Sequence, residues 1–255
     1  AYFSDVQKFS TISEKLTPEE LVQLLNEYLT AMCDIISSHN GTIDKFEGDA
    51  IIAFWGAPLE QPDHAKLACF ATIDMQKTLM EMRKGWKAQG RDQLYARMGV
   101  NSGPIVVGNM GSAQRMDYTM MGDAVNLAAR LEGANKFYKN YTMVSGDTYK
   151  LVESDVDARM LDIIRVVGRK DAVPVYEVLE RKNQTTGPLA GAVEAYSQGL
   201  KVYQEADFKA AVQHFEKALS ILPEDGPSQV MLQRCQQYLE DPSGWDVVYT
   251  LTEKG

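Results

Sequence analysis

The sequence is poor in cysteine and in positive charge, and it has no long apolar run. Its three cysteines, Cys33, Cys69 and Cys235, lie far apart among 255 residues. An odd number without CxxC spacing indicates neither a disulfide framework nor a zinc site, and a reducing, cytosolic setting is the expectation. Lys and Arg number 26 against 35 Asp and Glu, a formal net charge of -9. That balance argues against a nucleic-acid or anionic-membrane surface, since both demand a basic patch. A nucleotide pocket, by contrast, needs only a few local cations. No stretch approaches the roughly 20 apolar residues of a membrane span, and no signal peptide is present. The chain opens at Ala1-Tyr2-Phe3, inside an expected strand, which reads as a fragment of a parent that could carry membrane segments upstream.

With 45% hydrophobic and 24% charged residues, the chain can bury a normal core and build one domain plus an appendage. Two short acidic segments stand out. Phe3-Ser4-Asp5-Val6 and Phe46-Glu47-Gly48-Asp49-Ala50-Ile51-Ile52-Ala53-Phe54 each set one carboxylate at the edge of an apolar strand. Taken singly, Asp5 can cap a helix and Asp49 can be an ordinary hairpin residue. Taken together they suit a two-metal phosphoryl-transfer site, because Mg²⁺ accepts one or two carboxylates and completes its shell with water and substrate phosphates. Convergence of Asp5 and Asp49 would make a nucleoside triphosphate the expected substrate class.

Thr17-Pro18-Glu19-Glu20 offers an N-cap, a Pro at the first helical position and a capping box, so a helix is expected to about Ser37. Residues 41–46 and 50–55 read as strands joined by a tight turn at Gly48, with Asp49 near its tip. A second helix is expected over about 62–84, then strands at 96–101 and 105–108 around Ser102-Gly103-Pro104. This strand, helix, strand, strand, helix, strand order is the ferredoxin-like arrangement. A helix from Gly122 through Asn135 and apolar stretches near 142–145, 160–167 and 173–179 complete an α+β domain over 1–180. Residues 181–188 read as a polar linker. Over 189–240, Leu189, Val193, Tyr196, Leu200 and Tyr203, then Phe208, Ala211, Phe215, Ala218 and Leu219, recur at helical steps and give a helical hairpin with a third helix near 227–240. The Gly199, Tyr203, Ala211, Phe215, Ala218 and Pro223 positions resemble a tetratricopeptide repeat. One repeat cannot bury its own faces, so this segment should pack on the first domain or on another chain. A tail, 241–255, follows.

The densest motif is Asp117-Tyr118-Thr119-Met120-Met121-Gly122-Asp123-Ala124-Val125-Asn126-Leu127-Ala128-Ala129-Arg130-Leu131-Glu132. On a helix Asn126 and Arg130 are four apart and share a face. An amide beside a guanidinium suits a ribose oxygen and a phosphate whose charge grows during transfer; a surface Asn and an Arg paired to Glu132 or Asp123 is the plainer alternative. Together with Phe3 to Ser10, Asp44-Lys45-Phe46-Glu47-Gly48-Asp49 and Arg97-Met98-Gly99-Val100-Asn101-Ser102-Gly103, this motif stands in the order and spacing of class III nucleotidyl cyclases. The resemblance covers roughly residues 1–180. It implies that Asp5, Asp49 and the Val6 carbonyl bind two Mg²⁺ or Mn²⁺ ions per active site. It implies that Lys45 and Thr119 read the purine, Lys45 donating to adenine N1 and Thr119 accepting from the exocyclic amine, directly or through neighbours. Guanylyl cyclases usually carry Glu and Cys-like residues there, so the chain resembles an adenylyl cyclase that makes cyclic AMP and pyrophosphate from ATP for intracellular signalling. Thr119 in place of the Asp of animal enzymes resembles the bacterial, class IIIb-like subgroup with threonine, some members of which respond to bicarbonate.

The same resemblance gives Asn126 the ribose, Arg130 the transition-state phosphate, and Arg97 and Arg169 the triphosphate, with Arg169 replacing a commoner lysine and Lys170 beside it. In that family one protomer supplies Asp5, Asp49 and Arg97, and the other Lys45, Thr119, Asn126, Arg130 and Arg169, so a homodimer with two shared sites is implied. Residues 241–254 resemble the endings of bacterial cyclases with an extracytoplasmic sensor and transmembrane helices ahead of a cytoplasmic catalytic domain. A disordered end, or a strand packed on the helical hairpin, is the alternative for that tail.

Overall fold

In the computed structural model residues 1–252 are described, and the last three residues of the tail, 253–255, lie outside the described residues. The first strand, β1 (Tyr2–Val6), buries Tyr2, Ser4 and Val6 and leaves Phe3 and Asp5 on its other face. A single turn, α1 (Phe9–Ser13), leads to α2 (Pro18–Ser38). The capping box that starts α2 is formed: Thr17 Oγ1 accepts from the Glu20 N–H at 3.3 Å, and Glu20 accepts from the Thr17 N–H at 2.9 Å. Its buried stripe is Leu24, Tyr28, Met32 and Ile36. Next come β2 (Thr42–Glu47), β3 (Ala50–Phe54), α3 (His64–Ala88) and β4 (Ala96–Val100). Gly48 holds the β2–β3 turn at φ 66°, a conformation open to glycine at little steric cost.

These strands lie in the order β4-β1-β3-β2, with β1 antiparallel to both neighbours and Asp5 opposite Arg97. Tyr2, Val6, Ile51, Met98 and Val100 pack one sheet face against α2 and α3. Alternation sends Gly99 to the opposite face. There α4 (Asp123–Tyr138) lies so close that a Cβ on Gly99 would meet the Glu132 nitrogen at 2.2 Å and the Ala128 oxygen at 2.4 Å.

The expected strand at 105–108 is longer and lies elsewhere. It is β5 (Val106–Ser112), paired with β6 (Arg115–Met121) in a separate two-stranded ribbon, and β6 was not foreseen. The reason is that both edges of β4 are occupied: β1 takes one, and β7 (Thr142–Ser145) takes the other in parallel. After α5 (Gly146–Val152), β8 (Val156–Arg165) and β9 (Val173–Arg181) extend the sheet to the order β8-β9-β7-β4-β1-β3-β2.

Asp157 pins the chain beyond β9 by accepting from the N–H groups of Asn183, Gln184 and Thr185. Then follow α6 (Gly187–Gln204), α7 (Phe208–Ile221) and α8 (Gly226–Glu240). They share one core with α4, β7, β8 and β9: Leu127, Leu131 and Tyr138 pack with Leu161, Tyr196, Tyr203 and Phe215. Buried charge ties the same parts together. Arg159 donates to Asp225 at 2.9 and 2.6 Å and to Glu177 at 2.6 Å, while Asp162 accepts from Arg234 at 2.5 Å and from the Tyr138 hydroxyl at 2.6 Å. The tail returns as β10 (Tyr249–Thr250), parallel to β8. No helix among the described residues is long and apolar enough to cross a membrane.

Candidate active site

Asp5 ends the exposed face of β1, and Asp49 lies in the turn between β2 and β3. The antiparallel β1–β3 pairing brings the two carboxylates together. Asp49 Oδ2 accepts from the Val6 N–H at 2.9 Å, and Asp5 Oδ2 accepts from Arg97 at 3.0 Å. Burial, joined by the charge of Asp5, pushes Asp49 up to about 6 against the pull of the Val6 N–H. Arg97, 13% exposed, also faces Glu132 Oε1 at 3.1 Å. Burial drives Glu132 up to about 7; Arg97 opposes that rise, and Asp5 and Asp49 add to it. Asp5 and Glu132 thus meet one guanidinium, with Asp49 beside Asp5. A divalent cation would relieve that excess of negative charge, and hard carboxylate oxygens with the Val6 carbonyl are a donor set that Mg²⁺ or Mn²⁺ accepts. Asp5, Asp49 and Val6 therefore fit the metal role. Among the described residues no cluster of three His, Cys, Asp or Glu with metal-ligand geometry occurs, so protein ligands alone do not close a shell.

A second group forms where β2 faces β6. Thr119 Oγ1 donates to Asp44 Oδ2 at 2.6 Å, the Met120 N–H donates to the same oxygen at 3.2 Å, and Lys45 Nζ lies 3.4 Å from Asp44 Oδ1. The structure thus brings Lys45 and Thr119 to one carboxylate.

The third group is on α4. Asn126 is exposed and Arg130 half-buried, one turn apart on one face. Their plainer partners are engaged elsewhere: Glu132 faces Arg97, and Asp123 pairs with Arg169 at 3.0 Å. Arg130 has no ion pair among the described residues. The turn between β8 and β9 comes to it, since a Cβ on Gly168 would stand 3.3 Å from Arg130 Nη2. Arg169 is half-buried beside that point and Lys170 is exposed, which favours Arg169 of the two as a site residue.

Arg130 and Glu132 are two residues apart, about 200° around the helix axis. Glu132 turns to Arg97 and the carboxylates, so Arg130 turns to the far side of α4, and Asn126, six residues from Glu132, stands about 120° round from it. Asp44 was given no role from sequence, and Glu132 and Asp123 were weighed only as partners of Arg130, whereas they meet Arg97 and Arg169. All three lie inside the motifs singled out, but nothing in their spacing says which cation each one meets.

Residues 1–180 match the family of adenylate and guanylate cyclase catalytic domains. Adenylate cyclase 1 of Rhizobium meliloti (strain 1021) is 37% identical over 179 residues, 70% of this chain and 27% of that protein, so the chain spans about a quarter of its length. The crystal structure of the adenylyl cyclase CyaB from P. aeruginosa is 39% identical, with a TM-score of 0.68 over 72% of this chain and 95% of that one. That of the guanylyl cyclase Cya2 is 34% identical, with a TM-score of 0.63 over 72% of this chain and 93% of that one. The α+β fold seen here, an extended sheet with α4 across one face, is the fold of these neighbours. By that match over residues 1–180, the chain belongs to the adenylate and guanylate cyclase catalytic domain family.

Proposed function

We propose that the chain is the catalytic part of an adenylyl cyclase of the threonine-containing, class IIIb-like subgroup, converting ATP to 3′,5′-cyclic AMP and pyrophosphate at sites shared by two protomers. The observation that carries this reading is the geometry of α4, which turns Arg130 away from Asp5, Asp49 and Arg97 of the same chain, with Asn126 one turn before it. A complete site needs both sets, and a second copy supplies what the first directs outward. Two-fold pairing would then form two equivalent sites. Phe46, Met116 and Tyr118 leave 39–61% of their surface exposed along β2 and β6, an apolar surface that a second copy would cover.

In the shared site Lys45 donates to adenine N1 and Thr119 accepts from the exocyclic amine, which orients the nucleotide. Asn126 holds the ribose so that its 3′-oxygen stands in line with the α-phosphorus. The bond from that oxygen to phosphorus forms as the bond to the bridging oxygen of the β-phosphate breaks, and pyrophosphate leaves. The 3′-hydroxyl proton passes to water or substrate. Arg130 bonds the phosphate oxygens as they gain charge, and Arg97 and Arg169 hold the leaving polyphosphate. Divalent ions held by Asp5, Asp49 and the Val6 carbonyl supply a lowered 3′-hydroxyl pKa and charge neutralisation when bound. The tetratricopeptide-like helices 189–240 brace α4 from behind, and an upstream sensor in the parent would act by rotating one protomer against the other.

Purified chain, with dimer verified, is incubated with Mn²⁺ or Mg²⁺ and either ATP or GTP, and cyclic product is resolved by chromatography. Cyclic AMP is expected. No product from a verified dimer would refute the activity, and cyclic GMP in excess would overturn the base assignment.

A further inference from the structure

The contact between β2 and β6 carries more than the placement of two base-reading side chains. The β2–β3 register slips between Ile43 and Lys45, so Asp44 is the extra residue of a bulge. Bulges re-aim side chains out of strand alternation. Here the bulge sets a carboxylate with only 2% of its side chain exposed against β6.

Its neighbours settle who donates. The Met120 N–H can only donate, and it already points at Oδ2 from 3.2 Å. The Lys45 ammonium can only donate as well, and it faces Oδ1 from 3.4 Å. Oδ2 accepts from the Met120 N–H, and the hydroxyl of Thr119 is the donor in the 2.6 Å bond to the same oxygen, while Oδ1 faces the ammonium without a hydrogen bond. A hydroxyl has one proton and two lone pairs. With its proton committed to Asp44, Thr119 presents only lone pairs to anything else.

We propose that Asp44 is a positioning residue for base selection: by taking the Thr119 proton it makes Thr119 an obligate acceptor, which selects a purine whose 6-substituent donates a hydrogen bond. This rests on the reading that Lys45 and Thr119 face the base. An exocyclic amine donates and a 6-oxo group only accepts, so a 6-oxo purine meets lone pairs with lone pairs. Lys45, a donor without acceptor capacity, demands an acceptor at N1 in the same way. Asp44 thereby sets one reader and steadies the other.

The test uses the full chain with divalent metal and compares kcat/KM for ATP and purine riboside triphosphate, which lacks the 6-amine but keeps the N1 acceptor. Wild type is expected to favour ATP by about 10-fold, the value of one well-placed hydrogen bond with its partner left unpaired on loss. In Asp44→Asn the amide can donate to Thr119 Oγ1, which keeps one lone pair and gains a proton free to turn outward, so the strict demand for a donor is lost and the preference should fall several-fold. Thr119→Val should do the same, and the double variant should add nothing further. If Asp44→Asn lowers both substrates equally while Thr119→Val abolishes the preference, the base reading stands and Asp44 is only a brace, which overturns the proposal. If Thr119→Val leaves the preference intact, the base reading itself fails, and the proposal with it. A further comparison needs no Asp44 variant. In Lys45→Met, which removes the N1 reader, inosine triphosphate should remain a poorer substrate than purine riboside triphosphate. The reverse order would show a hydroxyl free to donate and would overturn the proposal.

Discussion

Replacing Arg234 by Met would leave the Asp162 carboxylate, 0% exposed, without its cation. Asp162 would keep the Tyr138 hydroxyl and the Ile163 N–H as donors, and Met would fill much of the vacated volume. Breaking a buried pair from one side costs about 3–5 kcal/mol. The two retained donors place this case near the lower bound, and loss of the guanidinium stacked 3.5 Å over Tyr249 adds to it. At about 2.1 cal/mol/K per residue, 3–5 kcal/mol in 255 residues lowers Tm by roughly 6–9 °C. The double variant Asp162→Leu/Arg234→Met removes both charges and leaves the Tyr138 hydroxyl and the Ile163 N–H without that acceptor, a deficit of about 2 kcal/mol. Urea unfolding followed by single-tryptophan fluorescence is the assay, because Trp55 and Trp86, the latter on α3, sit in the core between the sheet and α2 and α3, whereas Trp245 packs among the C-terminal helices. All three signals should move together, since the helices and the sheet share one core. A loss below about 1 kcal/mol, or a shift of the Trp245 signal alone, would refute the reasoning that the C-terminal helices are integral to the fold.

Other outcomes follow from the same structure. Glu132 titrates near 7 in the folded chain against 4.5 for the free group. Folding therefore favours its protonated form, and the stability it contributes is complete below about 4.5 and lost as pH rises through 7. Measured with chelator present, Glu132→Gln should flatten that fall and raise stability at pH 8 by an amount on the order of 2–3 kcal/mol. Gly99→Ala should destabilise by about 3 kcal/mol or more in chemical unfolding, because its Cβ would overlap α4 backbone that cannot yield without displacing Asn126 and Arg130. Arg130→Ala should lower kcat by about 10²- to 10³-fold with little change in unfolding, a loss read in steady-state kinetics with ATP.

Local chemistry was the most legible part of this chain. The α2 start could be read because Thr17 and Glu20 close a ring with each other, and the β2–β3 turn because Gly48 alone supplies the positive φ. The helix carrying Asn126 and Arg130 was visible in its spacing, although it runs on to Tyr138. What could not be read depends on distant partners. Nothing near Val106 announces that β7 will occupy the free edge of β4 and exclude β5. Arg159 and Asp225 are 66 residues apart, and their pairing arises from how α8 docks. Asp44 stood in a quoted motif beside Lys45, but its inward turn comes from a register slip that exists only once β2 and β3 pair. The direction of Arg97 is of the same kind: it faces Asp5 because β1 and β4 pair in that register, and Glu132 because Gly99 lets α4 approach.

Division of the active site between two chains is tested most directly by mixing two inactive variants. Asp5→Ala removes one half of each site and Asn126→Ala the other, so each homodimer should be inactive. After subunit exchange verified by mass spectrometry, half of the dimers are mixed, and each has one intact site of two. Cyclic AMP formation should then return to about a quarter of the wild-type rate. Verified exchange with no recovery of cyclic AMP would contradict the shared site.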